Sequence, residues 1–300
     1  MAAKDPRDAV ITGIGLMTAL AEGVAENLRL LTAAERPVPL TDTETFAPYP
    51  VHPLVDIDLS NQIPKRGDQR QMENWQRYGT YAAGLALSDA GIAGNAEILD
   101  RTNLIVSAGS GERDPEVDAA ILAEIEETND PGRFLNEHLL NDLRPTLFLA
   151  QLSNLLAGNI SIVHNVIGSS RTFMGEELAG AMAPQWALRQ IKSGNGDVFL
   201  VGGAYNGPRP DMMFFLALGN YLYSGTEVEP LWQRLGRTDG VVCGSMGAFL
   251  TIESREHAEA RGEARRHQAR ARDQGGGHGA VHANDDYAEL VLHGVSSLFF

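Results

Sequence analysis

The sequence predicts an α/β fold, in which buried strands alternate with helices along the chain. Three observations carry this prediction. Short apolar and β-branched runs indicate buried strands at Asp8 to Leu16, at Leu104 to Val106 and at Asp197 to Ala204. Longer segments with helical spacing lie between these runs, and glycine-rich turns separate the two kinds of segment. This alternation is typical of the α/β class.

Composition limits what the chain can be. It has 300 residues, of which 43% are hydrophobic, with 32 glycines, enough for one large core or for two fused halves. No window holds eighteen consecutive apolar residues, and Met1 to Asp8 carries two acids and a proline where a signal peptide would be apolar. We therefore expect a cytoplasmic protein with no membrane span.

Charge and cysteine content exclude several functions. The net charge of −15 argues against nucleic acid and against anionic membrane surfaces as partners. An acidic partner would have to find a local basic patch. The single cysteine, Cys243, excludes an internal disulfide framework and a thiolate metal cluster. No motif indicates a cofactor or a metal, and we expect neither.

The first ninety residues contain one strand and two helices. Asp8 to Leu16 runs into Gly13 and Gly15 and precedes a helix from Glu22 to Leu31, which suggests a parallel strand, turn and helix unit. The third glycine of a dinucleotide fingerprint is missing, so no nucleotide site is predicted. Residues 33–70 are expected to be irregular, and small residues predict a closely packed helix over Arg77 to Ala90.

The middle of the chain begins with the strand Leu104 to Val106, which ends in a Gly/Ser turn over residues 107–111. That turn could hold an anion or allow a close backbone crossing, and we favour the crossing. Glu112 to Thr128 predicts a solvated acidic helix. Arg144 to Gly158 is strongly apolar, and Asn159 to Val163 is predicted to be a strand.

The stretch from Ser169 to Ala204 predicts a strand, a sharp turn at Gly175 and a helix rich in small residues. Such an arrangement presents one side chain at a helix N-terminus, and here that side chain is Glu176 or Glu177. Ordinary helix capping would also select a carboxylate there. Because the helix that follows is apolar and predicted to be buried, the carboxylate is also a candidate functional group.

Four motifs in order resemble the β-ketoacyl-acyl-carrier-protein synthases, condensing enzymes of the thiolase fold. The motifs are ITGIGLMTAL near the start, LSNLLAGNISI at 152–162, the stretch GSSRTFMGEELAGAMAPQWALRQIKSGNGDVFLVGGA, and DGVVCGSMGAFLTIESREHAEARG at 239–262. The resemblance implies two similar α/β halves in five layers, a dimer whose interface lies beside the active site, and an acyl carrier protein as partner.

The same resemblance implies that a nucleophilic cysteine should stand at the start of the central helix. Matching Gly180 and the helix after it places Glu177 at that position. A thiolate is a strong nucleophile and forms a stable thioester, whereas a carboxylate is a poor nucleophile whose acyl adduct would be a labile anhydride. Glu177 is therefore the candidate site residue, and whether the chain is an enzyme stays open.

Further positions depart from the family pattern. Ser245 stands where the family motif has Glu, Arg234 and Leu235 replace a Phe-Asp pair, and Cys243 in the same motif is expected to pack in the core. The two catalytic histidines of the family lie in a C-terminal half that this chain does not contain, although residues 287–297 resemble its beginning. We thus predict a thiolase-like N-terminal domain over 1–253, and an irregular segment with the start of a truncated C-terminal half over 254–300.

Residues 261–282 are rich in Arg, His and Gly and almost lack large apolar side chains. They could form a basic patch for an acidic carrier protein, but the favoured interpretation is a mobile insertion or an altered form of what should be a strand and turn. The histidines match no catalytic motif and are interpreted as solvated or structural, namely His164, His257, His267, His278, His282 and His293.

Three functional hypotheses follow from the resemblance. The preferred one is a β-ketoacyl synthase homologue of fatty acid or polyketide elongation that does not condense, in a homodimer or as partner of an active synthase in a heterodimer. It would resemble chain-length-factor subunits, or synthase-like subunits for the very-long-chain acyl groups of lipid A. The alternatives are a self-sufficient acyltransferase or malonyl-carrier decarboxylase that uses Glu177, and a shortened chain without function.

Overall fold

The computed structural model describes residues 5–35, 37–109, 111–175, 178–225, 228–229 and 240–262. They form a six-stranded mixed sheet with helices on both faces. The strands are β1 (Ala9–Met17), β2 (Val51–His52), β3 (Asn103–Ala108), β4 (Ser170–Met174), β5 (Val198–Asn206) and β6 (Cys243–Ser254). This confirms the predicted α/β class.

The strand order is β1-β6-β5-β3-β4, and the short β2 pairs in parallel with the start of β6. β3 is parallel to β4 and β5, whereas β6 is antiparallel to β5 and β1. The expected parallel unit at the start of the chain is therefore wrong. β1 finds its partner in β6, more than two hundred residues later, and local sequence does not set the direction of such a pairing.

The described helices are α1 (Val24–Leu31), α2 (Arg66–Gln71), α3 (Asn74–Asp89), α4 (Ala96–Leu99), α5 (Pro115–Glu124), α6 (Pro131–Asn141), α7 (Leu147–Ala150), α8 (Leu155–His164), α9 (Ala179–Lys192), α10 (Pro210–Leu218) and α11 (Arg255–Ala260), with a 3-10 turn at Leu59–Asn61. No helix in the described ranges is both long enough and apolar enough to cross a bilayer.

Alternating side chains of β3 and β5 build one core on each face of the sheet. Leu104, Val106, Val198 and Leu200 pack against α3 and α8 on one face. The residues between them along the strands pack against Ala183, Ala187 and Ile191 of α9 on the other face. The period of two along a strand explains this division. The described residues thus form three layers, helix, sheet and helix.

Two glycines of β1 allow α3 to lie directly on the strand. A Cβ at Gly13 would stand 2.2 Å from the Ala86 carbonyl oxygen, and one at Gly15 would stand 1.9 Å from the Ala82 carbonyl oxygen. The glycine pair at the start of the chain therefore serves the contact between helix and strand.

The predicted strand over Asn159 to Val163 is wrong, because these residues belong to α8. Leu156 and Ile160, four residues apart, are both fully buried against α3. Gly79 of α3 makes room for the Leu156 side chain, since a Cβ there would lie 2.7 Å from it. Packing against α3 thus overrides the strand preference of the β-branched residues.

The proposed boundary at residue 253 stays a prediction. Arg255–Ala260 form helix α11, whose Ala258 is fully buried, so an irregular conformation does not begin directly after the boundary. Residues 263–300, with most of the Arg/His/Gly-rich segment and the resemblance at 287–297, lie outside the described residues.

Candidate functional site

The candidate site lies at the edge of the sheet where the parallel strands β3, β4 and β5 end. β4 stops at Met174, and Gly175 follows with φ 133°, a backbone angle that favours glycine. Helix α9 begins at Ala179. The turn and helix predicted from the sequence are therefore present. Glu176 and Glu177 lie outside the described residues, so the position of the candidate carboxylate stays a prediction.

The first turn of α9 is fixed to the neighbouring strand. The Ser107 hydroxyl of β3 donates a hydrogen bond of 2.8 Å to the carbonyl oxygen of Ala179. Ala179 is 3% exposed, whereas Leu178 is 69% exposed and Met182 is 44% exposed. The start of α9 is consequently buried on one face and exposed on the other, so the burial predicted from its small residues holds for one face only.

A buried polar chain joins three elements at this same edge. The Asn206 side chain at the end of β5 donates a hydrogen bond of 3.1 Å to the Glu112 carboxylate. The Ser245 hydroxyl of β6 donates one of 3.1 Å to the Asn206 side-chain oxygen. All three residues are less than 9% exposed. Asn206 thereby satisfies both a buried carboxylate and a buried hydroxyl.

Sequence reasoning missed the burial of Glu112, which was assigned to a solvated helix. Helix α5 begins only at Pro115, with Asp114 as its N-cap, so Glu112 belongs to the turn after β3. The Asp114-Pro115 pair was the signal that could have shown that Glu112 precedes the helix, because Pro is typical of the first helical position after a cap. The helix itself is solvated as predicted, since Ile121 is its one buried residue.

The surroundings of Tyr78 in α3 raise the pKa of its phenol. Burial raises the pKa of its phenol, and the negative charge of Glu112 raises it further. Tyr78 therefore stays protonated at neutral pH and can act only as a neutral hydroxyl.

Cys243 lies in the apolar core, as the sequence predicted. It packs in a cluster with Val51, Met213 and Leu222. Burial raises the pKa of its thiol to about 11. At neutral pH the thiol is therefore held in its protonated form. The one sulfur nucleophile of the sequence is therefore unreactive in this position.

The described histidines named in the sequence interpretation have local partners. His164 Nε2 lies 2.8 Å from the Thr80 carbonyl oxygen, and burial lowers the pKa of its imidazole. His257 Nδ1 lies 2.6 Å from Glu253, where β6 ends at the opposite edge of the sheet. In the described ranges no group of three or more His, Cys, Asp or Glu side chains could hold a metal ion.

Comparison with known proteins identifies the family. The family model described as "Beta-ketoacyl synthase, N-terminal domain" matches residues 7–258. The 3-oxoacyl-[acyl-carrier-protein] synthase 2 of Vibrio cholerae serotype O1 is 26% identical over 264 residues, which cover 85% of this chain and 60% of the relative. The chain thus spans about three fifths of the length of the curated relatives it matches.

Solved structures agree with this assignment. The ishigamide ketosynthase/chain length factor aligns with a TM-score of 0.63 and 24% identity over 85% of this chain and 60% of its own. A β-ketoacyl synthase from Burkholderia phymatum STM815 aligns with a TM-score of 0.63 and 25% identity over 85% of this chain and 61% of its own. These alignments confirm the predicted thiolase-like N-terminal half. The chain accordingly belongs to the β-ketoacyl synthase family, of which it carries the N-terminal domain.

Proposed function

We propose that this chain is a β-ketoacyl synthase homologue that does not condense and that completes an active synthase as its partner subunit, in the elongation of fatty acyl or polyketide chains. The observation that carries the proposal is chemical. The position that the family pattern gives to the nucleophilic cysteine holds Glu177 here, and the one cysteine of the sequence is a buried thiol. Thioester chemistry requires a thiolate that this chain does not supply.

The outermost strand of the sheet, β4, supports a partner subunit beside the site. Among the described residues β4 pairs only with β3, so its outer backbone groups are available to another chain. Ser170, Arg171 and Met174 of this strand are exposed. Leu178 and Met182 add exposed apolar surface at the start of α9. An edge strand flanked by apolar side chains is a suitable surface for subunit contact.

A short basic patch supports an acyl carrier protein as the second partner. Lys65, Arg66 and Arg70, at the start of α2 and within it, are exposed in a chain whose net charge is −15. An acidic carrier would be repelled by most of this surface and attracted here. The carrier named in the relative from Vibrio cholerae makes an acyl carrier protein the natural candidate.

Reconstitution tests the proposed function. The chain is purified alone and together with the ketoacyl synthase subunit from the same genome. Elongation of an acyl group on the carrier is then followed with malonyl-carrier as the second substrate. We expect no elongation by the chain alone and elongation by the pair, with products that differ from those of the synthase subunit alone. Elongation at full rate by this chain alone would refute the proposal.

A charge variant tests the carrier surface separately. Replacement of Lys65, Arg66 and Arg70 by Glu should weaken binding of the acyl carrier protein to the pair about tenfold or more, because three attractive contacts become repulsive. The same replacement at Arg29, Arg101 and Lys192, which are exposed and form ion pairs on other helices, is the control and should leave binding nearly unchanged. An equal loss of carrier binding in both variants would show that the carrier binds at another surface.

A further inference from the structure

Helices α5 and α6 form a hairpin that stands away from the sheet. From residue 113 to residue 142 only Ile121 is buried, and α6 has no buried residue at all within its described length. Both helices have about ten residues, a length at which an isolated helix is only marginally stable in water. The hairpin therefore lacks the packing that helices of this length normally need.

The hairpin also exposes large apolar side chains. Leu122 of α5 is 71% exposed and Leu140 of α6 is 73% exposed. Leu135 and Leu139 of α6 are 37% and 40% exposed. An apolar surface of this kind on a pair of poorly packed helices is typical of a protein interface.

The same hairpin carries much of the negative charge of the molecule. Residues 112–142 contain ten acidic side chains and two arginines. Arg113 pairs with Asp118, and Arg133 pairs with Glu137. Five further exposed acids have no ion pair within the described residues, namely Glu116, Glu124, Glu126, Glu127 and Asp130. The apolar residues are thus surrounded by uncompensated negative charge.

Charge decides between the possible occupants. A second copy of this chain that presents the same hairpin, as a symmetric homodimer requires, would be repelled, and an acidic carrier protein would likewise be repelled. A different polypeptide with Lys and Arg around an apolar centre would bury the exposed leucines and form ion pairs with the acids.

We infer that the α5–α6 hairpin adds to the subunit contact proposed at β4 and is the surface with which this chain selects its synthase partner, and that the facing surface of that partner is basic around an apolar centre. This inference rests on the proposed function, because it names the chemistry of the partner surface. It also specifies a heterodimer, since two acidic hairpins disfavour pairing of identical chains.

Three sets of variants test the inference. The first replaces Glu124, Glu126 and Glu127 by Lys. The second replaces Leu122 and Leu140 by Ser, which removes apolar surface without changing charge. The control replaces the exposed acids Glu35, Glu44 and Asp100 by Lys and so changes the net charge as much as the first set does. Far-UV circular dichroism verifies that each variant is folded.

The measurement is the Kd for the synthase subunit from the same genome, at low and at high salt. We expect a rise in Kd of about 10- to 100-fold for the lysine set at low salt, a rise at both salt concentrations for the serine set, and little change for the control. Sedimentation of the chain alone is measured in parallel and is expected to show no dimer that depends on the hairpin.

The outcomes separate this inference from the proposed function. If the pair elongates and the hairpin variants bind the synthase subunit normally, the hairpin inference is refuted and the proposed function stands. A homodimer of this chain that the lysine set disrupts would also refute it. If the unaltered chain binds no synthase subunit, both the inference and the proposed function are wrong.

Discussion

Asn206 shows how a single side chain connects the ends of separate elements. Its amide donates to Glu112 and its carbonyl accepts from Ser245, in a place where neither partner is open to water. The family motif has Glu at the position of Ser245, so a carboxylate there would be a second buried charge beside Glu112 in this chain. One buried carboxylate is what this hydrogen-bond arrangement accommodates.

The substitution Ser245→Glu tests whether this polar chain accommodates only one buried carboxylate. We expect it to lower the free energy of unfolding by about 3 kcal/mol at pH 7, because two carboxylates then share one amide in a buried place. Adding Glu112→Gln should restore about half of the loss or more. Denaturant unfolding measures both variants. Ser245→Gln controls for size, and an equal loss in that variant would show that crowding, not charge, is the cause.

Cys243 allows a second test at the residue scale. Because burial raises the pKa of its thiol to about 11, we expect a thiol reagent such as DTNB to leave the native chain unmodified at pH 8 and to label it fully in urea. Cys243→Ala should cost about 1 kcal/mol of stability and leave elongation by the reconstituted pair unchanged. Loss of elongation with an intact fold would assign the thiol a chemical role.

At the scale of elements, the carboxylate of Glu253 connects α11 to the end of the sheet through hydrogen bonds. This carboxylate is fully buried, and it accepts hydrogen bonds from Arg261, His257 and Thr12. Burial by itself would raise its pKa, but the hydrogen bonds from His257, Arg261 and Thr12 outweigh burial and lower the pKa to about 2. The cluster joins β1, β6 and α11.

The depressed pKa of Glu253 predicts a defined pH dependence. The unfolded carboxyl titrates near pH 4.5, so the stabilisation is complete above that pH and is lost as pH falls toward about 2. The shift corresponds to about 3 kcal/mol. Glu253→Gln should remove this amount at pH 7 and flatten the pH dependence of the unfolding free energy between pH 2 and 4.5. Glu256→Gln, exposed on the same helix, is the control, and an equal flattening there would contradict the assignment.

Close packing of α3 on β1 gives another prediction for the elements. Gly15→Ala should destabilise the protein by about 2 to 4 kcal/mol, because the added methyl would overlap the Ala82 carbonyl oxygen. Gly67→Ala, at a helical position in α2 with open space around it, should be neutral or slightly stabilising. Thermal unfolding compares the two. Equal melting temperatures would show that α3 can move away from the strand at little cost.

Local sequence predicted the elements whose patterns are long and clear. The strands β3 and β5 and the helix α3 follow from runs of apolar and small residues, with ends that differ by a few positions. The identity of α8 did not follow, because Ile160, Ile162 and Val163 favour a strand and only the contact with α3 makes them helical. Non-local packing decided that case, as it decided the direction of β1.

For the site, sequence predicted the architecture better than the polar contacts. The strand, the turn at Gly175 and the helix start were foreseen, since glycine and small residues mark them. The buried chain through Asn206 was not, because its members are 94 and 39 residues apart in sequence. The role of Glu177 depends on the family pattern and stays a prediction.

At the scale of the whole molecule, charge is distributed unevenly. In the part of the chain that the structure describes, an exposed basic patch lies at α2 and an acidic apolar hairpin lies at α5 and α6, both outside the sheet, while the net charge of the sequence is −15. The outermost strand, β4, ends at Met174, a few residues before α9 begins at Ala179. On these surfaces rest the two proposed partners, a basic polypeptide at the hairpin and an acidic carrier at α2.

The most direct measurement is the intact mass of both subunits of the reconstituted pair, quenched with acid during turnover of an acyl-carrier substrate. We expect the acyl mass on the synthase subunit and none on this chain, because an acyl adduct of Glu177 would be a labile anhydride and Cys243 is a buried thiol. An acyl group covalently bound to this chain, at Glu177 or at Cys243, would contradict the account.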